Sequence, residues 1–138
     1  MKRRVVVTGM GMVSPLGNDL ASSWQGITEG RSGIGPLTNV SDVYLDRFTT
    51  KIAGEVKGFD ITADTALFGN YRVSAKDARK MDPFIHYGLG AAFMALADAG
   101  LQIDEGNAER IGAIIGAGIG GLLGTEGQTI RFHRGREI

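Results

Sequence analysis

The sequence predicts an α/β fold, and three observations carry that prediction. Two short apolar runs, residues 4–8 and 110–115, have the composition of buried strands. Helical patterns lie between and after them, so strand and helix signals alternate along the chain. Each strand signal runs into a glycine-rich turn, and glycine is the compositional outlier: 22 of 138 residues against a usual share of about 7%. Proline is rare at three, and the glycines lie inside apolar runs, so this is not a disordered linker. Such glycines suggest backbone approaching backbone closely, with tight turns between elements.

The elements follow in order. Residues 4–8 hold three consecutive valines and stop at Gly9, which reads as a buried strand. Residues 9–15 form a tight apolar loop. Asn18 can cap a helix over residues 19–29, with Leu20, Trp24 and Ile27 on its core face and Gly30 placed to end it. Residues 31–39 read as loop, and residues 51–56 as a strand. Residues 60–71 show no clear period, so they read as loop or short helix. Residues 74–81 form a short polar helix. Asp82-Pro83 then opens the clearest helix of the chain, with Asp at the cap and Pro at the first helical position. Ile85, Leu89, Ala92 and Leu96 make its buried stripe, and Gly100 stands where a left-handed cap belongs. A second strand covers residues 110–115, and a helix begins at Leu122 before a basic tail with Arg131, His133, Arg134 and Arg136.

Charge and composition exclude several function classes. Lys+Arg and Asp+Glu are 15 each, so the net charge is zero, and nothing global argues for nucleic acid or an anionic membrane. The chain has no cysteine, which removes disulfides, Cys metal sites and a Cys nucleophile among these residues. The apolar run at the start is too short for a signal peptide or a membrane span, so the default location is cytoplasmic. No metal-ligand spacing and no Ser-His-Asp arrangement is present. No cofactor is assigned.

One nucleotide pattern needs weighing. Gly116, Gly118 and Gly121 fit G-x-G-x-x-G after a predicted strand, and Gly9-Met10-Gly11 also follows one. The context argues against a phosphate site. Pro15 disfavours a helix start at Ser14. Glu29 ends a predicted helix rather than a second strand, and Glu137 lies in a basic tail. Close packing of strand against helix is the better account of these glycines, and a dinucleotide-binding domain stays as an alternative.

Several segments together resemble the β-ketoacyl-acyl-carrier-protein synthases, most closely the bacterial type that elongates long acyl chains. They are Arg3-Arg4-Val5-Val6-Val7-Thr8-Gly9-Met10-Gly11-Met12-Val13-Ser14-Pro15-Leu16-Gly17, then Arg31-Ser32-Gly33-Ile34, then Arg79-Lys80-Met81-Asp82-Pro83-Phe84, then Arg110-Ile111-Gly112 through Gly116-Ala117-Gly118-Ile119-Gly120-Gly121. The resemblance implies a thiolase-like layered αβαβα fold, of which residues 1–138 are the incomplete N-terminal half, working as a homodimer in full-length form. It also implies a decarboxylative Claisen condensation between an acyl thioester and malonyl-carrier. In that family a Cys thiolate takes the acyl group, two His residues assist, and a Lys supports the site. None of these positions falls within this chain. His86 and His133 do not match the catalytic histidines and read as packing or solvated surface. The chain is therefore expected to be a fragment, inactive alone and prone to aggregate or dimerise.

The resemblance also implies partners and site residues. Arg72, Lys76, Arg79 and Lys80 share a face if one helix spans them; by composition alone they are a solvated helix face. In the family, the segment matched by Lys76, Arg79 and Lys80 meets the acidic helix of acyl carrier protein, and Arg136 falls near another basic position of that surface. Ile119 matches a residue lining the acyl pocket, although taken alone it is a plain core isoleucine. Phe84, Phe93, Trp24, Ile27, Leu89 and Leu96 are assigned to core. A carrier-binding or chain-length-factor-like module without catalysis is a further alternative.

Overall fold

A computed structural model describes residues 3–39 and 45–135. Helix α1 spans Leu20–Thr28. Strands β1 (Ile34–Pro36) and β2 (Ile52–Gly54) pair antiparallel, with Gly35 opposite Ala53. A 3-10 turn at Ala66–Phe68 leads to the one-turn helix α2 (Ala75–Ala78). The 16-residue helix α3 covers Pro83–Asp98, a second 3-10 turn covers Ala108–Arg110, and α4 covers Leu122–His133. The chain is thus mixed helix and small sheet.

Helix α3 organises the rest. Gly100 takes a left-handed φ of 61° just past its end, and the Leu101 amide donates back to the Leu96 carbonyl at 3.1 Å, which closes the helix. The residues that α3 buries are Gly90 and Met94, one turn apart on one face. The expected stripe of Ile85, Leu89, Ala92 and Leu96 is only half-buried. Met94 joins Ile61, Phe68 and Ala78 in the core, with Val13, Phe59, Val73, Leu89 and Phe93 packed around them. Aromatic rings close this cluster. Tyr71 stacks on Phe93 at 5.3 Å between centroids, and Phe93 meets Phe68 edge-on at 6.0 Å. The Phe59 ring lies so close to Gly90 that a Cβ there would overlap it.

The N-terminal segment docks on α3 through missing side chains. A Cβ at Gly9 would overlap the Ala95 carbonyl, and one at Gly11 the Ala91 carbonyl. The Met10 amide donates to Asp98 Oδ2 at 2.8 Å, which pins the segment to the end of α3. A closed turn follows: Ser14 and Gly17 exchange backbone hydrogen bonds, and the buried Ser23 hydroxyl donates to the Gly17 carbonyl at 3.0 Å and bonds the Ser14 hydroxyl at 2.8 Å.

Three expectations are corrected by the structure, and the two strand runs find no partner among the described residues. Residues 4–8 and 111–115 have no ladder partner among the described residues, and Val5 is 94% exposed. A strand exists only through bonds to another strand, and these two runs do not meet. β1 falls in the stretch read as loop, because the β2 segment offers it a partner. Asp19, not Asn18, caps α1: its Oδ1 accepts from the Ser22 amide at 2.7 Å, while Asn18 Nδ2 donates to the Lys57 carbonyl at 2.9 Å. Trp24 and Ile27 are exposed, and α1 buries Ser23 and Gly26 instead. The Ser14–Gly17 turn approaches so closely that only small side chains fit beneath it.

Candidate functional site

The basic segment lies on α2 and the turn after it. Four residues cannot hold a helix by themselves, so outside contacts must fix it. Ser74 caps it, its hydroxyl oxygen accepting from the Asp77 amide at 3.1 Å and its O–H donating to Asp77 Oδ2 at 2.7 Å. Lys80 Nζ pairs with Asp77 Oδ1 at 3.0 Å. The Ser74 hydroxyl bond, then the Lys80 ammonium, hold the Asp77 carboxyl below its ordinary value of 3.8. A depressed carboxyl contributes its stability above the ordinary value and loses it as pH falls through the lowered one. The Ser74 O–H and the Lys80 ammonium therefore favour the Asp77 carboxylate at neutral pH, while the cap bond from the Asp77 amide to the Ser74 hydroxyl does not depend on that charge. At the other end, His86 Nε2 bonds the carbonyl of buried Ala78 at 2.9 Å, tying α2 to the first turn of α3.

That frame holds Lys76 and Arg79 outward. Both are exposed, and among the described residues neither has a carboxylate in ion-pair range. Lys80 is partly neutralised by Asp77. Arg72 does not share their helix. It precedes the Ser74 cap, binds Asp64 Oδ1 at 2.7 Å, and donates to the Gly69 and Tyr71 carbonyls, both at 2.7 Å. Its work is to hold the loop before α2. Arg136 lies outside the described residues.

His86 is half-buried and hydrogen-bonded, so solvated surface is corrected for it, while packing stands. His133 is exposed on α4, its ring 6.0 Å from that of Phe132. Arg131 and His133 belong to α4 rather than to a tail.

Ile119 stands in the turn before α4 and is 80% exposed. A plain core role is therefore not what the described residues give it. The N-cap of α4 is Gly121, with φ of 73° and no side-chain cap bond. Asp82 fills that corner. It is the N-cap of α3 yet makes no cap bond there. Its carboxylate lies against α4 instead, where a Cβ on Gly124 would sit 2.9 Å from Oδ2. A negative charge beside a helix N-terminus is favourable. It also occupies the place where a dinucleotide phosphate would bind, which argues against that reading of the 116–121 turn. Phe84, assigned to core, is 39% exposed and covers Gly120, whose Cβ would fall 2.6 Å from the ring. Phe93 does pack on the core.

A separate groove of about 860 Å³ runs between Met10, Met12, Trp24, Leu67 and Met94. It holds no constellation of nucleophile and base. Among the described residues no group of three His, Cys, Asp or Glu could hold a metal, and no helix is long and apolar enough to cross a membrane. Local sequence reasoning missed Asp82 and Phe84 as partners of the 119–124 turn, since nothing near them in the chain signals that contact.

The chain is similar to several known proteins. A 3-oxoacyl-[acyl-carrier-protein] synthase 2 from Vibrio harveyi is 53% identical over 121 residues, covering 88% of this chain and 26% of its own length. A synthase of the same name from Synechocystis is 44% identical over 137 residues, covering 97% of this chain and 30% of its own length. One from Staphylococcus aureus is 40% identical over 120 residues. The chain spans about a quarter of the length of the curated relatives it matches. Residues 2–137 match the family Beta-ketoacyl synthase, N-terminal domain, and the chain belongs to that family.

Proposed function

We propose that residues 1–138 form the N-terminal half of a thiolase-fold 3-oxoacyl-[acyl-carrier-protein] synthase of fatty-acid biosynthesis, and that Lys76, Arg79 and Lys80 form its carrier-docking surface. The observation that carries the docking role is a pair of exposed, uncompensated cations on a turn fixed from both ends. Rim charges of this kind steer an acidic partner and set its orientation, each weakly and in a salt-sensitive way. Arg136 is included in that surface by the family resemblance alone.

In the reaction, the acyl chain passes from its carrier to a Cys thiolate, and decarboxylation of malonyl-carrier then supplies the carbanion for condensation. This chain has no cysteine, so the nucleophile must come from residues other than these, and the chain alone is inactive. Its own contributions are docking and, at Ile119, a wall of the acyl pocket. In the layered fold, residues 4–8 and 110–115 become sheet strands. The exposure of Val5, Val6, Val7, Ile114 and Ile115 supports that reading, as apolar runs of this kind need covering. The complete synthase is a cytoplasmic homodimer in this reading.

Titration of this chain with acyl carrier protein, at low and at moderate salt, tests the docking surface. Replacing Lys76 and Arg79 together by Glu is expected to weaken binding by about tenfold at low salt and to flatten its salt dependence. Equal binding by the double variant rules this surface out.

A further inference from the structure

We infer that Asp82 and Phe84 are positioning residues for acyl-chain-length selectivity, acting from outside the pocket by bracing the turn that carries Ile119. The inference rests on the reading of Ile119 as a wall of the acyl pocket and adds what holds that wall in place.

Among the described residues, little else lies against the turn's glycines. Ile119 is mostly exposed, and a Cβ at Gly116 or Gly118 would meet nothing within 4 Å. Contacts gather on its far side. The Phe84 ring lies over Gly120, with Cζ, Cε2 and Cε1 at 2.6, 2.7 and 3.0 Å from the position of a Cβ there. No side chain larger than hydrogen fits at Gly120 without moving that ring. The Asp82 carboxylate follows, with Oδ2 at 3.1 Å from a Cβ placed on Gly121 and at 2.9 Å from one on Gly124. Gly121 starts α4 without a side chain of its own, so the charge at this helix start comes from α3. Two residues of one helix end thus fix the glycines on the C-terminal side of Ile119.

The bracing element is itself rigid. Helix α3 is locked to the core through Met94 and through Phe59 against Gly90. Loss of the Phe84 ring leaves Gly120 without its neighbour and frees the turn to shift. A wall residue displaced by a fraction of its own width changes which chain lengths fit. The same helix end carries His86, which holds the basic turn, so docking surface and pocket wall are referenced to one rigid element.

The experiment measures kcat/KM with acyl-carriers of short and long chain in a complete synthase bearing this N-terminal domain. The variants are Phe84→Ala, Gly120→Ala, the two combined, Asp82→Asn and Ile119→Ala. A loss of folded enzyme lowers every substrate alike and cancels in the long-to-short ratio. Phe84→Ala and Gly120→Ala are each expected to move that ratio by about threefold or more. The combined variant should depart from the product of the two effects, because the new methyl enters the space the ring vacates. Asp82→Asn, which keeps volume and removes charge, should move the ratio less and guards against a failure of Phe84→Ala to fold. If Ile119→Ala moves the ratio while Phe84→Ala, Gly120→Ala and Asp82→Asn leave it alone, the brace is overturned and the acyl wall stands. If Ile119→Ala also leaves it alone, the acyl wall fails and the inference with it.

Discussion

The two glycine turns look alike in sequence and do different physical work. Gly9 and Gly11 follow an apolar run and face the backbone of α3, where any Cβ would overlap a carbonyl oxygen. Gly116 and Gly118 also follow an apolar run, yet a Cβ at either meets nothing within 4 Å. From Gly120 onward a Cβ on the second turn's glycines would meet side chains, the Phe84 ring and the Asp82 carboxylate. The first turn is a backbone-to-backbone seam. The second is open on one side and braced by Phe84 and Asp82 on the other. The presence of glycine therefore says little until the opposing surface is known.

Gly11→Ala breaks the seam. Its methyl would collide with the Ala91 carbonyl, which belongs to a helix and cannot rotate away. Relief requires the N-terminal segment to lift, which strains the Met10–Asp98 hydrogen bond and the packing of Val13. Overpacking of this kind costs about 2 to 3 kcal/mol. Urea unfolding should show it as a large fall in midpoint. A midpoint within experimental error of the wild-type value would mean that the seam is not tight.

His86 marks a second contrast, between the one-turn helix it ties down and the long helix on which it stands. His86→Ala leaves the buried Ala78 carbonyl without its donor, an expected cost of about 1 kcal/mol. Gln carries an amide nitrogen that reaches nearly as far as Nε2, so His86→Gln should recover most of that loss. Amide hydrogen exchange reads the effect locally. Residues 74–80 should exchange faster in His86→Ala while the middle of α3 is unchanged. Equal acceleration in both would show that His86 supports the whole core rather than the basic turn.

These contrasts also explain what was legible in the sequence. Helix α3 was, because its cap, its N1 proline and Gly100 are all local signals and its hydrogen bonds close within four residues. The 4–8 and 110–115 runs have strand composition, but pairing is non-local and the described residues give neither a partner. Trp24 and Ile27 have core spacing on α1, yet spacing names a face without saying what covers it. Ser23 and Gly26 are buried there because a close approach selects size over hydrophobicity. Lys76, Arg79 and Lys80 stood out as a charge cluster. Arg72 looked like a fourth member, and only the Ser74 cap and the bond to Asp64 separate it from them. The placement of Asp82 and Phe84 against the 119–124 turn depends on the fold alone.

Gly118→Ala is the smallest expected effect and the sharpest test of the opening contrast. Nothing stands within 4 Å of the new methyl, and Gly118 does not have the positive φ that would strain alanine. Replacing glycine at such a site removes freedom from the unfolded chain and stabilises by about 0.4 to 1 kcal/mol, less whatever the turn loses in its own mobility. The urea midpoint of this chain should be unchanged or slightly raised, opposite in sign to Gly11→Ala. A clear fall would mean that a surface already opposes Gly118 in the folded chain. The two turns would then be the same kind of seam, and the brace at Gly120 would be one part of a wider contact.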